Sequence, residues 1–250
     1  MSGWAGVVGI VVTVIAIVSI LGGLTAGVGL VIQDSASSVH TEQLAMEFAG
    51  AIAPAETIGH TSTELTVDRG TIYTLPRQVR LLTGDRDTFE PGRSTVTVSE
   101  AIRSDAVIYA RDTGRIVVHA GAAYYTDDDT AQTVRHPELI TRGAETPVVV
   151  GIPAIQADDV GVSVSGQTAI RVETTVTHRH VDLGDRPAYL AIETTDPRFW
   201  QTYFADRSPT VVATRARFEG DQADSVIVRL PPDRPVTLVI HTVELAVDRT

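Results

Sequence analysis

The chain has 250 residues and no cysteine, which excludes a disulfide framework and any thiolate metal site. It carries 31 acidic residues against 20 basic ones, every basic one an arginine, for a formal net charge of -11. A field of that sign repels phosphate backbones, so nucleic acid is excluded as an expected partner, and anionic lipid head groups are repelled as well.

Met1 to Gln33 holds no charged residue, and from Trp4 to Ile32 only Thr13, Ser19 and Thr25 interrupt the apolar run. That length predicts a transmembrane helix, since about 20 apolar residues span a bilayer. At 1.5 Å per residue, the stretch 4–32 would extend about 44 Å against a hydrocarbon core of roughly 30 Å; tilt absorbs the surplus. A cleaved secretory signal needs a basic start and an apolar core of about 7–15 residues, and this segment fits neither requirement. The positive-inside rule is nearly silent here, so the exported character of the downstream domain places the C-terminal part outside the cell. Ser19, Gly23 and Gly27 fall four apart and contain a GxxxG match, which makes them the candidate helix-packing face. Gly3, Gly6 and Gly9 form a second small-residue series; equally, glycine is common in membrane helices without any packing role.

Beyond Ile32, Leu44, Phe48 and Ile52 step by four along one face, with His40, Gln43 and Glu47 roughly opposite. The apolar helix is therefore expected to continue as an amphipathic stalk until Gly50 and Pro54 break it, one helix of roughly 45 residues. After Gly59 the pattern changes to short Val-, Ile- and Thr-rich runs. Strands are predicted at 63–67, 71–75, 78–82, 94–98, 106–109, 115–119, 148–155, 168–181, 188–193, 211–218, 225–230 and 236–246. Asp68-Arg-Gly70 and Asp112-Thr-Gly114 read as hairpin turns. This spacing favours an antiparallel sandwich or rolled sheet over a parallel α/β sheet. One segment departs from it: Asp196 stands at an N-cap and Pro197 at the first helical position, and Phe199, Trp200, Tyr203 and Phe204 share one helical face. That short helix is expected to plug an end of the sheet core; a ligand-stacking platform is the other reading.

The order of a Gly-punctuated apolar helix, an amphipathic extension and a β-rich head resembles archaeal type IV pilin and archaellin-like subunits. Gly3-Trp-Ala-Gly-Val-Val-Gly-Ile-Val-Val12 is similar to the start of the hydrophobic helix in haloarchaeal members. The head resembles an uncharacterised haloarchaeal pilin-like branch in three stretches. These are Ala106-Val-Ile-Tyr-Ala-Arg-Asp-Thr-Gly-Arg115 with Tyr124 and Tyr125, Thr146-Pro-Val-Val-Val-Gly-Ile-Pro153, and Ala188-Tyr-Leu-Ala-Ile-Glu193 with Phe199-Trp-Gln-Thr-Tyr-Phe204. The acidic, lysine-free composition also resembles that of proteins from salt-loving archaea in molar salt, where the Debye length shrinks to about 3 Å; a high-GC genome favouring arginine is the alternative, and the acidic excess favours the first. The resemblance implies a leader removed by a prepilin peptidase, apolar helices packed as a filament core, and heads coating the outside. Only Met1-Ser2-Gly3 precede the apolar run, where the family has a leader ending in a basic and a small residue. Either the start lies further upstream or the protein is unprocessed and stays an anchor.

Few residues suggest chemistry. His178, His180 and Asp182 share one face of a strand-like run, weak candidates for zinc that would need a further ligand. His119 and His136 are candidates by residue type alone. Asp127 to Asp129 and Asp158-Asp159 lack the alternation of a calcium loop and read as solvated turns. There is no nucleophile elbow, phosphate loop, G-x-G-x-x-G or H-E-x-x-H. The sequence thus predicts a mainly β protein with one long N-terminal α-helix: residues 1–33 transmembrane, 34–58 a stalk, and 59–250 an extracellular antiparallel sandwich or rolled-sheet head. Its expected role is that of a pilin-like structural subunit with no enzymatic activity, cofactor or metal. The expected partners are membrane lipid and other pilin-like subunits through Ser19, Gly23 and Gly27. A monomeric surface-binding domain is the alternative, and a surface enzyme is a third reading.

Overall fold

Alternating burial along short runs separated by turn residues commits the chain to sheet from Gly59 onward. A computed structural model describes residues 43–52, 58–83, 97–127, 130–141, 148–157, 160–183, 188–205, 210–231 and 235–249. The chain divides into two units, Met1–Leu44 and Ala45–Thr250, and the sheets belong to the second.

Helix α1 covers residues 43–52, and the second unit takes it from Ala45. The strands are β1 (Gly59–Val67), β2 (Gly70–Leu75), β3 (Gln78–Thr83), β4 (Thr97–Arg103), β5 (Ala106–Arg111), β6 (Gly114–His119), β7 (Ala122–Thr126), β8 (Ala131–Arg135), β9 (Ile140–Thr141), β10 (Val148–Gln156), β11 (Gly161–Val164), β12 (Thr168–Asp182) and β13 (Ala188–Glu193). Helix α2 (Pro197–Ala205) precedes β14 (Thr210–Ala216), β15 (Ser225–Arg229) and β16 (Val236–Arg249). They form three sheets: sheet I in the order β1-β12-β16-β10-β9, sheet II β11-β2-β5-β6-β7-β8, and sheet III β14-β15-β13-β3-β4.

All three sheets turn a face to one hydrophobic core. Sheet III gives it Val79, Leu81, Leu190 and Val228; sheet II gives Ile108, Val117 and Tyr124; sheet I gives Val150, Ile152, Leu238 and Ile240. The aromatic face of α2 completes it, with Phe199, Trp200, Tyr203 and Phe204 all buried and Phe199 stacked on Tyr124 at 4.1 Å. Four rings of this kind, each able to bury about 150–250 Å², make the helix a large contributor to the core. The sheets are also sutured by polar groups. Ser104 Oγ donates to Pro153 O at 2.8 Å, and Asp105 N donates to Ile155 O at 2.8 Å, joining the end of β4 to β10. Within sheet III, Glu193 on β13 is 2% exposed and accepts the amides of Gln78, Gln222 and Ala223.

This architecture corrects the expected fold class. Among the described residues the helices are α1 and α2, both short, and no helix is long and apolar enough to cross a membrane. Among the described residues no long N-terminal helix is found; the apolar run 4–32, with Ser19, Gly23 and Gly27, lies outside them. In the second unit the amphipathic face of α1 is spent on the β structure: Phe48 is fully buried, with its ring 6.2 Å from Tyr109 of β5. Nor are the sheets a two-layer sandwich. Three sheets share the core, and β10 pairs with β16 in parallel, Val148 opposite Val236 through Gln156 opposite Glu244. A parallel pair needs a long crossover, and strand periodicity gives no hint of it.

The Asp68-Arg-Gly70 turn is a second correction. It does not close a hairpin: β1 pairs with β12 in sheet I, and β2 pairs with β5 and β11 in sheet II. Gly70 is required by crowding, since a Cβ there would lie 2.6 Å from the Tyr109 ring. The Asp112–Gly114 turn does close the β5–β6 hairpin, and Gly114 takes a φ of 144° beneath the Tyr125 ring.

Sheet I changes its buried face partway along β16. Val236, Leu238 and Ile240 are buried on one side; Val243 and Leu245 are buried on the other. His241 and Thr242 occupy the handover, both half-buried.

Candidate functional site

Two places gather polar chemistry. The first is a groove of about 800 Å³ at the N-terminal end of α2, walled by the β5–β6 turn and by Asp127 and Thr130 of the β7–β8 turn. Asp196, one residue before the helix, forms its inner wall. Its carboxylate receives Arg115 Nη2 at 2.9 Å, the Tyr124 hydroxyl at 3.0 Å and the Thr195 hydroxyl at 3.0 Å. Asp196 thus binds strands β6 and β7 to the helix start, its carboxylate turned to these side chains and away from the helix amides. Burial, reinforced by the Asp196 charge, holds the Tyr124 phenol well above its ordinary pKa, so it remains a donor. Three arginines (Arg111, Arg115 and Arg198) line the groove alongside threonine hydroxyls and Gln201, and among the described residues no imidazole does. With its interior carboxylate already engaged by three donors, the groove suits hydrogen bonding to a polar molecule better than proton transfer.

The second place is on sheet I. His178 and His180 do project from one face of β12, as their spacing predicts, His178 half-buried and His180 exposed. Asp182 stands beyond them at the strand end, opposite Thr237. The residue that sequence reading missed is His241. It lies directly across from His178 on β16, and the two rings meet edge to face with centroids 4.4 Å apart. Burial first, then the neighbouring imidazoles of His178 and His180, lower the His241 pKa. Among the described residues, no group of three His, Asp or Glu side chains converges as a metal site. The signal that would have found His241 is register, since it sits in a predicted strand whose partner the sequence does not name.

The remaining candidates have structural roles or lie outside the described residues. His119 is 1% exposed and edge-on to Trp200, ring centroids 6.1 Å apart. Burial, with the Arg77 charge adding to it, pushes its pKa down to about 3. His136 lies beside the Tyr203 ring at 6.2 Å. Asp127 accepts the Thr130 amide at 2.7 Å and its hydroxyl at 3.1 Å, so it ties off the β7–β8 turn. Asp128, Asp129, Asp158 and Asp159 are not among the described residues.

The model of a family of unknown function, DUF7289, matches residues 3–246, and the chain belongs to that family. No curated protein and no solved structure matches the chain.

Proposed function

We propose that this member of the DUF7289 family is a structural cell-surface protein, held in the membrane by its apolar N-terminal segment, with the acidic β-rich unit outside. One observation carries the reading. The family match runs through both parts, from residue 3 to residue 246, so the uncharged segment belongs to the same family architecture as the β unit. An uncharged run of this length partitions into lipid or into the apolar interior of an assembly. Assembly in the manner of pilin-like subunits rests on small residues: Ser19, Gly23 and Gly27 would let neighbouring segments pack closely, replacing lipid contacts with protein ones. The groove beside α2 fits a structural role, because its Asp196 carboxylate is taken up by Arg115, Tyr124 and Thr195 and so ties two strands to the helix start.

The test is the double substitution Gly23→Leu with Gly27→Leu, read by crosslinking in native membranes. Self-association should fall, with the protein still membrane-bound and its β unit open to protease added outside the cell. Undiminished crosslinking would sink assembly through this face, and recovery of the full chain in the soluble fraction would sink the anchor. The polar groove favours one second reading, a monomeric anchored domain that binds a ligand outside the cell. A wild-type chain that gives no crosslinked species in the membrane would select it.

A further inference from the structure

Strand register adds a third histidine to the two that sequence places together. His241 faces His178 across the β12–β16 ladder, and His180 is the diagonal neighbour of His241 on the same face. Diagonal neighbours in an antiparallel ladder stand about 7–8 Å apart, within reach of ring side chains. Nδ1 of His241 is buried and has no hydrogen-bond partner. Beside it stands Gly151 of β10, where a Cβ would come to 3.4 Å from His241 Nε2, so the glycine spares the ring a close side-chain neighbour.

We propose that His178, His180 and His241 form a binding site for a borderline divalent metal ion of the zinc or nickel kind, its remaining coordination positions open to solvent. Neutral imidazole is a preferred ligand of these ions, whereas calcium and magnesium seek oxygens. Two alternate residues of one strand and one residue of its neighbour present three rings on one surface without disturbing the ladder. As the side chains stand, the three rings do not meet at one point, since no such group of three is formed among the described residues. Binding therefore turns rings about their side-chain bonds while the paired backbones stay in place. His180 is exposed, so its ring is the one with room to turn toward the other two.

The full-length chain, purified in detergent, is dialysed against zinc chloride, with magnesium chloride as the control. One zinc per chain should be retained and the thermal midpoint raised by several degrees, with no effect of magnesium. His178→Gln combined with His241→Gln should lose the zinc while keeping the metal-free circular dichroism spectrum. His180→Gln, at an exposed position that folding does not depend on, should weaken zinc binding by itself. The proposal is overturned if the wild-type chain retains no zinc, if the double variant retains as much as wild type, or if His180→Gln binds with undiminished affinity.

Discussion

His119 shows how much one buried group can impose on the protein. Its ring lies between Trp200 and the backbone of Ser104, neutral because burial and the Arg77 charge both oppose protonation. With a folded pKa of about 3 against an ordinary 6.5, the unfolded chain takes up a proton below pH 6.5 that the folded chain refuses. The stability His119 confers is therefore complete above pH 6.5 and drains away as pH falls toward 3, by up to about 1.4 kcal/mol per unit. His241 acts in the same direction. Denaturant midpoints at pH 7 and pH 5 should fall further for the wild-type chain than for His119→Gln; parallel losses would refute this account of the core histidine. The buried ion pairs differ in kind. Arg80 grips Asp221 with both nitrogens and lies over the Phe218 ring at 4.8 Å, so charge and stacking fix the 217–224 loop on the outer face of sheet III.

At the scale of elements, β5 explains why α1 belongs to the β unit. Ala106 and Ile108 face the main core, while Val107 and Tyr109 are fully buried on the opposite face, where Phe48 of α1 meets the Tyr109 ring. A strand buried on both faces needs a cover, and a helix with an apolar stripe supplies one. Phe48→Ala should cost about 3–5 kcal/mol in urea unfolding. Met46→Ala, two residues away at 53% exposure, should stay within about 0.5 kcal/mol. Equal effects at the two positions would contradict the packing. Sheet edges show a second device: register shifts interrupt β14–β15, β3–β4 and β7–β8, each at an edge strand. Bulges of this kind twist an edge away from pairing with another chain.

For the whole molecule, the charge of -11 opposes compactness, and salt relieves it. The screening length falls from about 10 Å at 0.1 M to about 3 Å at 1 M. The thermal midpoint should rise with potassium chloride over that range, and an unchanged or falling midpoint would argue against repulsion as a cost of this fold. The three-sheet arrangement then answers why so few aromatic residues suffice. Four of them sit together on α2 and Tyr124 joins them, while the rest of the buried core cluster is aliphatic.

The features that the sequence determined are local. Val-, Ile- and Thr-rich alternation placed most strands, the Asp112–Gly114 turn and the aromatic helix beginning at Pro197, because these depend on side-chain period and backbone preference. It missed β7, β8, β9 and β11, which are short or lie beside turns where alternation is too brief to read, and its strand at 94–98 meets β4 (Thr97–Arg103) only at the first two residues. Tertiary structure alone decided which strands share a sheet, the parallel β10–β16 pair, the role of Gly70 against Tyr109, and the meeting of His241 with His178. Those outcomes depend on contacts between residues far apart in the chain, whose cost and reward no local pattern encodes.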